Sequence, residues 1–474
     1  MDPTPHSRAA VTRRFDTPHG LAEHRRPTGG SMGNSTQAGM TSEEIVGLSR
    51  AHTLFSWSVQ GQLDPIAIDH AKGVYMWTPE GKRIMDFNSQ LMSVNIGHGD
   101  QRVIDAIAEQ AAKLQFVQPA FATEIRARLG QKLAQILPGD MNKVFFTLGG
   151  AEAIENAIKL ARHYTGKHKL LARYRAYHGA TAGAMTLTGD YRRWANEPGI
   201  VGVVRYPDTH RWGEKEPRSA AEALNGLEDV IKYEGAQTIA AIFLETVVGT
   251  NGILIPPDGY LQGVRDLCDK YGILMVADEV MAGFGRTGKW FAVDHWNVVP
   301  DLMTMAKGLT SSYLPLGAVA MRDTITEAMN TKMFYGGLTY SSHPMSLAAA
   351  LATIRVYEED DLIGNAVRMG EKMRAWHEKL AAKHPSVGAH RNIGLFGILD
   401  LVRSQDPWTP ITPFNGTSDE MKAIGKFFRE EGLYVMIANN SVHTNPPLCI
   451  TEAEMDEAFA IIDRGLDITD QAVK

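Results

Sequence analysis

From about residue 141 onward, short apolar runs alternate with amphipathic stretches. The runs are VFFT (144–147), LLARY (170–174), VGVVR (201–205), AAIFLE (240–245), GILMVAD (272–278), LMTMA (302–306) and LGAVAM (316–321). Helical spacing falls near 151–163, ahead of 240, and near 259–270. Near-continuous apolar strands separated by helices predict a mostly parallel sheet covered on both faces. In such sheets ligands bind beyond the carboxyl ends of the strands, so the residues that close each run are the first candidates for chemistry.

The flanking segments read differently. Within 52–95, AIDHAKGVYMWTPEGKRIMDF alternates apolar and polar positions around a turn at Pro79–Gly81. Stretches 101–114 and 122–136 carry helical spacing. A long helix begins with SLAAALATIRVYEEDD near 345, and another covers about 364–383. The last 90 residues add the strand runs NIGLFGILDLV and LYVMI, helices near 417–431 and 451–467, and an irregular loop at 405–416. That mixture predicts a smaller α+β domain. Residues 1–40 lack periodicity and read as a disordered tail. No apolar run follows their basic pairs, so a secretory leader is not expected.

Composition narrows the classes. The 474 residues are 44% hydrophobic and 22% charged, with a formal net charge of −6. Lysines and arginines are scattered, which argues against nucleic acid or an anionic membrane as partner. No uncharged apolar run is long enough to predict a membrane span. Two cysteines, Cys268 and Cys449, suit a reducing compartment, and a cytoplasmic location is expected. No metal site is expected.

Several strand ends carry chemistry-bearing side chains. Lys307 closes LMTMA, where an amine is costly to bury unless it is paired or covalently used. It suits Schiff-base formation and then general-base proton transfer, which contributes about 10²–10⁴-fold. Asp278 closes GILMVAD and suits an acid aimed at a protonated pyridine nitrogen, or simply a cap. Glu245 closes AAIFLE, where it suits a ring contact or a structural ion pair. After VFFT, Gly149 and Gly150 open a helix whose backbone N–H groups offer a phosphate site. Glu152 and Glu155 favour that helix start. In YHG (177–179), Tyr177 can stack on a flat ring, His178 can contact it or serve the core, and Gly179 permits close approach. In GGLTYSSHP (336–344), Thr339 offers a hydroxyl and an N–H to a phosphate. Each feature alone also fits an ordinary structural role.

Together these segments resemble the class III aminotransferases, fold-type I pyridoxal-phosphate (PLP) enzymes that include the ω-aminotransferases. The likeness covers the chain from about residue 50 to the end. It is most specific in VADEVMAGFGRTGKWFAVDHW (276–296), PDLMTMAKGL (300–309) and PLGAV (315–319). FNSQLMSVNIGHG (87–99) and GGAEAIENAIKLAR (149–162) look like the taurine–pyruvate and β-alanine–pyruvate enzymes.

The resemblance implies a seven-stranded sheet with a smaller α+β domain formed by both chain ends. The expected division is a tail at 1–40, a small-domain segment at 41–95, a large PLP-binding domain at 96–345, and the rest of the small domain at 346–474. It implies that Lys307 forms the internal aldimine, that Asp278 pairs with the pyridine nitrogen, and that Val280 and Tyr177 pack on opposite ring faces with His178 alongside. Gly150 and Ala151 would hold the phosphate, joined by Thr339 from the partner subunit. Glu245 would lie near the ring hydroxyl and the substrate. A homodimer, or a higher oligomer with shared sites, is implied. The reaction implied moves an amino group from an ω-amino acid or primary amine to pyruvate or a related keto acid, through a pyridoxamine phosphate intermediate.

Two departures stand out. Ala151 replaces a serine common in the family, which removes one phosphate hydrogen bond, worth about 1.5–3 kcal/mol when charged. In addition, GLYVMIANNSVHTNPPL (432–448) lacks the arginine that usually grips a keto-acid carboxylate. Asn439, Asn440, His443 and Arg403 are candidate replacements, and Arg192 reads more as a surface residue. The resembling enzymes line the pocket entrance with the segments that here hold Leu54, Phe55, Trp57, Met92 and Phe121, and Met436 and Ile437 would make one side apolar. A PLP aminomutase, racemase or decarboxylase, and a non-catalytic protein of the same fold, remain alternatives.

Overall fold

The computed structural model describes residues 39–196 and 199–473. The expected tail therefore falls, up to residue 38, outside the described residues. The seven apolar runs form one sheet. Across it the strands stand in the order Lys143–Thr147, Gly317–Met321, Leu302–Met305, Leu274–Asp278, Ile239–Glu245, Lys169–Arg173 and Val203–Tyr206. Only Gly317–Met321 runs against its neighbours. Every residue of Ile239–Glu245 and Leu274–Asp278 is buried, which is why these strands read as unbroken apolar runs rather than as alternation.

Helices cover this sheet as the spacing predicts. Gly150–Thr165 buries Ala153, Ile154, Ala157, Ile158, Leu160 and Ala161 at helical intervals and ends on Gly166 at φ 70°. Ala220–Glu234 starts on a Ser219 cap, and Tyr260–Tyr271 stops at left-handed Gly272. No described helix is long and apolar enough to cross a membrane.

The two chain ends share a sheet. Short strands His70–Lys72, Tyr75–Trp77 and Arg83–Asp86 form a meander, and Leu433–Tyr434 pairs in parallel with its last strand, Leu433 opposite Met85. A third sheet holds Val387–Ile393, Phe396–Gln405, Ser441–Thr444 and Ile437–Ala438. Three local expectations change here. NIGLFGILDLV is not one strand but a hairpin, turning at Gly394 with φ 56°. LYVMI is split into Leu433–Tyr434 and Ile437–Ala438, which belong to different sheets. The loop at 405–416 contains a short strand, Trp408–Pro410, folded back on Phe396–Gln405.

Candidate active site

Register across the sheet brings the candidate acids together. Glu245 lies opposite Asp278, and Asp278 opposite Thr304, on three adjacent parallel strands. Lys307 follows the third of these strands within one turn. All four therefore meet at the carboxyl edge, where a cavity of about 290 Å³ opens. Its walls include Gly150, Ala151, Tyr177, His178, Glu245, Asp278, Val280 and Lys307, together with Thr250 and Met281. The volume sits at the low end of the ~300–1,000 Å³ usual for small-molecule sites.

Hydrogen bonds fix the acids. Asp278 Oδ2 lies 2.7 Å from His178 Nδ1, while its Oδ1 accepts from the Thr304 hydroxyl at 3.2 Å and from the Val280 N–H at 3.1 Å. Glu245 Oε1 accepts from the Tyr177 N–H at 3.0 Å, and Oε2 from the Gly249 N–H at 2.8 Å. Burial pushes the Glu245 carboxyl above its ordinary range, and His178 opposes that rise. Burial also pushes the Lys307 amine down. Asp278 and Glu245 hold it up, and Arg192 lowers it further.

Three of the residues expected at the site carry backbone strain. Lys307 has φ 42°, Met92 φ 52° and Trp57 φ 61°, all left-handed conformations that side-chain-bearing residues rarely adopt. Gly308 leaves no alternative beside Lys307, since a Cβ there would come within 2.5 Å of Asn95 Nδ2.

The residues present fit a flat, phosphate-bearing ring. No side chain among the described residues caps the helix that starts at Gly150, so its first N–H groups are available to an anion. A Cβ on Gly150 would lie 2.9 Å from Val280 Cγ1, so the glycine keeps this end of the cavity open. His178 Nε2 is buried without a hydrogen-bond partner. Tyr177 and Val280 both line the space between these groups.

Other predicted residues fall elsewhere. Arg403 does not line this cavity; its guanidinium pairs with Glu420 at 2.9 Å beside a separate surface cleft. Thr339 is exposed on a turn and contributes nothing to the cavity of its own chain. Leu54 and Phe121 are exposed, at 83% and 57%. Met92 is buried in a cluster with Met281, Val247 and Phe396, against which Met436 packs. His443 is buried, and burial holds its imidazole down at about 4, so it supplies no cation near pH 7.

Arg192 is the main correction. It is half-buried, not a free surface residue. Its guanidinium carbon lies 3.8 Å from the Tyr177 ring centroid and 5.5 Å from that of Trp57. Trp57 in turn meets Tyr177 edge-on at 5.8 Å. Arg192 Nε donates to both oxygens of Asp190 at 3.0 and 2.9 Å, and Nη2 donates to Asp190 and to the Thr250 hydroxyl. Asp190, Thr250 and Met281 were not singled out from the sequence. The Asp-x-Arg spacing at 190–192 hints at the ion pair, but nothing local says which way it faces.

This geometry has close counterparts among known proteins. The family model for class-III aminotransferases matches residues 58–466. The chain is 34% identical to the putrescine–pyruvate aminotransferase of Pseudomonas aeruginosa, over 93% of this chain and 99% of that one. It is 30% identical to the taurine–pyruvate aminotransferase of Bilophila wadsworthia, over 90% and 98%. Among solved structures, the taurine:2-oxoglutarate aminotransferase of Bifidobacterium kashiwanohense, in complex with PLP and glutamate, superposes with a TM-score of 0.88 at 38% identity, over 91% and 99% of the two chains. An (S)-enantioselective ω-transaminase from Thermomicrobium roseum gives 0.86 at 34% identity, over 91% and 99%.

Proposed function

Because the chain belongs to the class-III aminotransferases and works with PLP, we propose that it moves the amino group of an ω-amino acid or primary amine bearing an acidic end to pyruvate or a related keto acid. The observation that carries this reading is Arg192 stacked on Tyr177, a wall of the Lys307 cavity, close enough to act on the Lys307 amine.

Lys307 would hold the cofactor, Asp278 would face its ring nitrogen, and the helix start at Gly150–Ala151 would hold its phosphate. Bound there, PLP supplies an electron sink for the carbon that carries the amino group. The protein's own part begins with Lys307 Nζ. Its lowered basicity leaves the amine able to take a proton from the substrate carbon and return it. His178 holds one oxygen of Asp278 and the Thr304 and Val280 donors hold the other, so the carboxylate cannot turn away. Tyr177 and Val280 would close the two ring faces, and Glu245, fixed by two backbone N–H groups, would border the substrate side.

Arg192 answers the absence of arginine in 432–448. Asp190 and Thr250 occupy Nε and Nη2, which leaves Nη1 without a protein partner among the described residues. A carboxylate or sulfonate at the far end of a substrate would accept from it. The Trp57 ring and Met281 would flank the intervening methylenes.

The reading extends to a homodimer. Thr339 is exposed and outside its own chain's cavity, as a phosphate ligand given to a partner would be. The two free thiols, one buried, suit a cytoplasmic setting. The experiment is a two-stage screen: taurine, β-alanine and putrescine against the PLP form, then pyruvate and 2-oxoglutarate against the aminated form. Transfer from taurine or β-alanine supports the reading, and turnover of putrescine alone overturns it.

A further inference from the structure

A second cavity, about 40 Å³, lies between the loop after Tyr206 and the sheet formed by Val387–Ile393 and Phe396–Gln405. It shares no lining residue with the Lys307 cavity. Four cationic side chains line it, Arg175, Arg211, Lys215 and Arg391, against two carboxylates, Glu214 and Asp400. Arg391 pairs with Asp400 at 2.7 Å, and Arg211 with Glu214 at 3.3 Å. The second oxygen of Asp400 accepts from the Ser441 hydroxyl at 2.5 Å.

Those pairings leave two cations over. No carboxylate among the described residues pairs with the side chain of Arg175 or of Lys215. Arg175 Nη2 donates only to the Asn251 carbonyl, at 2.5 Å, and the guanidinium lies 5.9 Å from the Trp212 ring. Lys215 Nζ lies 5.8 Å from the Trp408 ring. The two arginine heads also converge. A Cβ on Gly252 would lie 3.1 Å from Arg175 Nη2 and 3.3 Å from Arg391 Nη2. Asp208, whose carboxylate accepts from the Arg175 backbone N–H at 2.7 Å, and Asp400 offset part of this positive charge, and a further anion would offset more. His210, on the same wall, is kept neutral by burial and by both arginines, with its imidazole pushed down to about 3.

We propose that this cavity binds the oxyanion head of a small acid, a carboxylate, sulfonate or phosphate, between Arg175, Arg391 and Lys215. Its volume is far below the ~300–1,000 Å³ that encloses a whole ligand, so only the head enters. A wider cleft that shares Trp212 and Pro410 gives the rest of the molecule room. Arg175 stands two residues before Tyr177, and the carbonyls that Arg175 and Arg391 grip belong to the turn just after Thr250. An anion here would therefore brace two walls of the Lys307 cavity.

The test uses the PLP-loaded enzyme, titrated calorimetrically at fixed ionic strength with inorganic phosphate, methanesulfonate and acetate in separate arms. Saturable binding in at least one arm is expected, and the arm that binds identifies the head. Lys215→Glu, at an exposed position that does not threaten folding, should weaken binding by about tenfold, and Arg175→Gln by at least as much. Absence of saturable binding in all three arms overturns the proposal. So does an affinity unchanged in Lys215→Glu.

Discussion

The Arg192 guanidinium and the Tyr177 ring are stacked 3.8 Å apart, with the Trp57 ring 5.5 Å from the same guanidinium. A cation thus sits over an aromatic wall of the Lys307 cavity although the 432–448 segment holds none. Arg192→Met should lower kcat/KM for an acidic amine such as taurine or β-alanine by about tenfold to a hundredfold, the worth of a hydrogen bond to a charged group. Turnover of a neutral monoamine should change little. Steady-state kinetics with both donors checks this, and equal losses would count against a carboxylate- or sulfonate-binding role.

Both carboxylate oxygens of Asp278 are held by neighbouring protein groups. Asp278→Asn keeps the shape but removes the charge facing a ring nitrogen. Loss of one partner of a buried charge pair costs about 3–5 kcal/mol. Cofactor affinity should fall by about a hundredfold or more. Equilibrium titration with PLP measures it, and a fall of less than threefold would assign Asp278 a purely structural task.

Ala151 is the second residue of the helix whose start would hold the phosphate. Ala151→Ser adds a hydroxyl at that start and should tighten cofactor retention by about tenfold, the lower end for a charged hydrogen bond. Dilution-driven loss of PLP, followed by absorbance, reads the change.

Glu279, next to Asp278, is fully buried and accepts from the Thr246 hydroxyl and the N–H groups of Ala292 and Val293. Burial pushes its carboxyl up to about 7 despite those donors. The folded protein therefore holds a proton there that the unfolded chain loses above about 4.3. Its contribution is complete below that value and is lost as pH rises through about 7, on the order of 3 kcal/mol. Denaturant unfolding between pH 4.5 and 8 should show a steeper decline in the wild type than in Glu279→Gln. Parallel curves would contradict the assignment.

The central sheet was legible because buried parallel strands are written as unbroken apolar runs, and each run closed within two residues of a strand end. Lys307, Asp278, Glu245, Tyr177 and His178 were legible for the same reason: they stand where those runs stop. Elsewhere the same rule misled. NIGLFGILDLV is apolar or glycine from Ile393 to Leu399, so its turn at Gly394 left no polar mark. Arg192 was illegible because its direction is set by contacts with Tyr177, Thr250 and Trp57, far apart in sequence. Arg403, the stronger candidate from the sequence, points instead to Glu420.

The most direct test concerns Lys307. The PLP-loaded protein is reduced with borohydride, which fixes the cofactor to the amine that holds it, then digested and mapped by mass spectrometry. The cofactor mass should appear on the peptide containing Lys307, and the visible absorption should be absent from Lys307→Ala. A mass on any other lysine, or an unchanged spectrum in Lys307→Ala, would contradict the account.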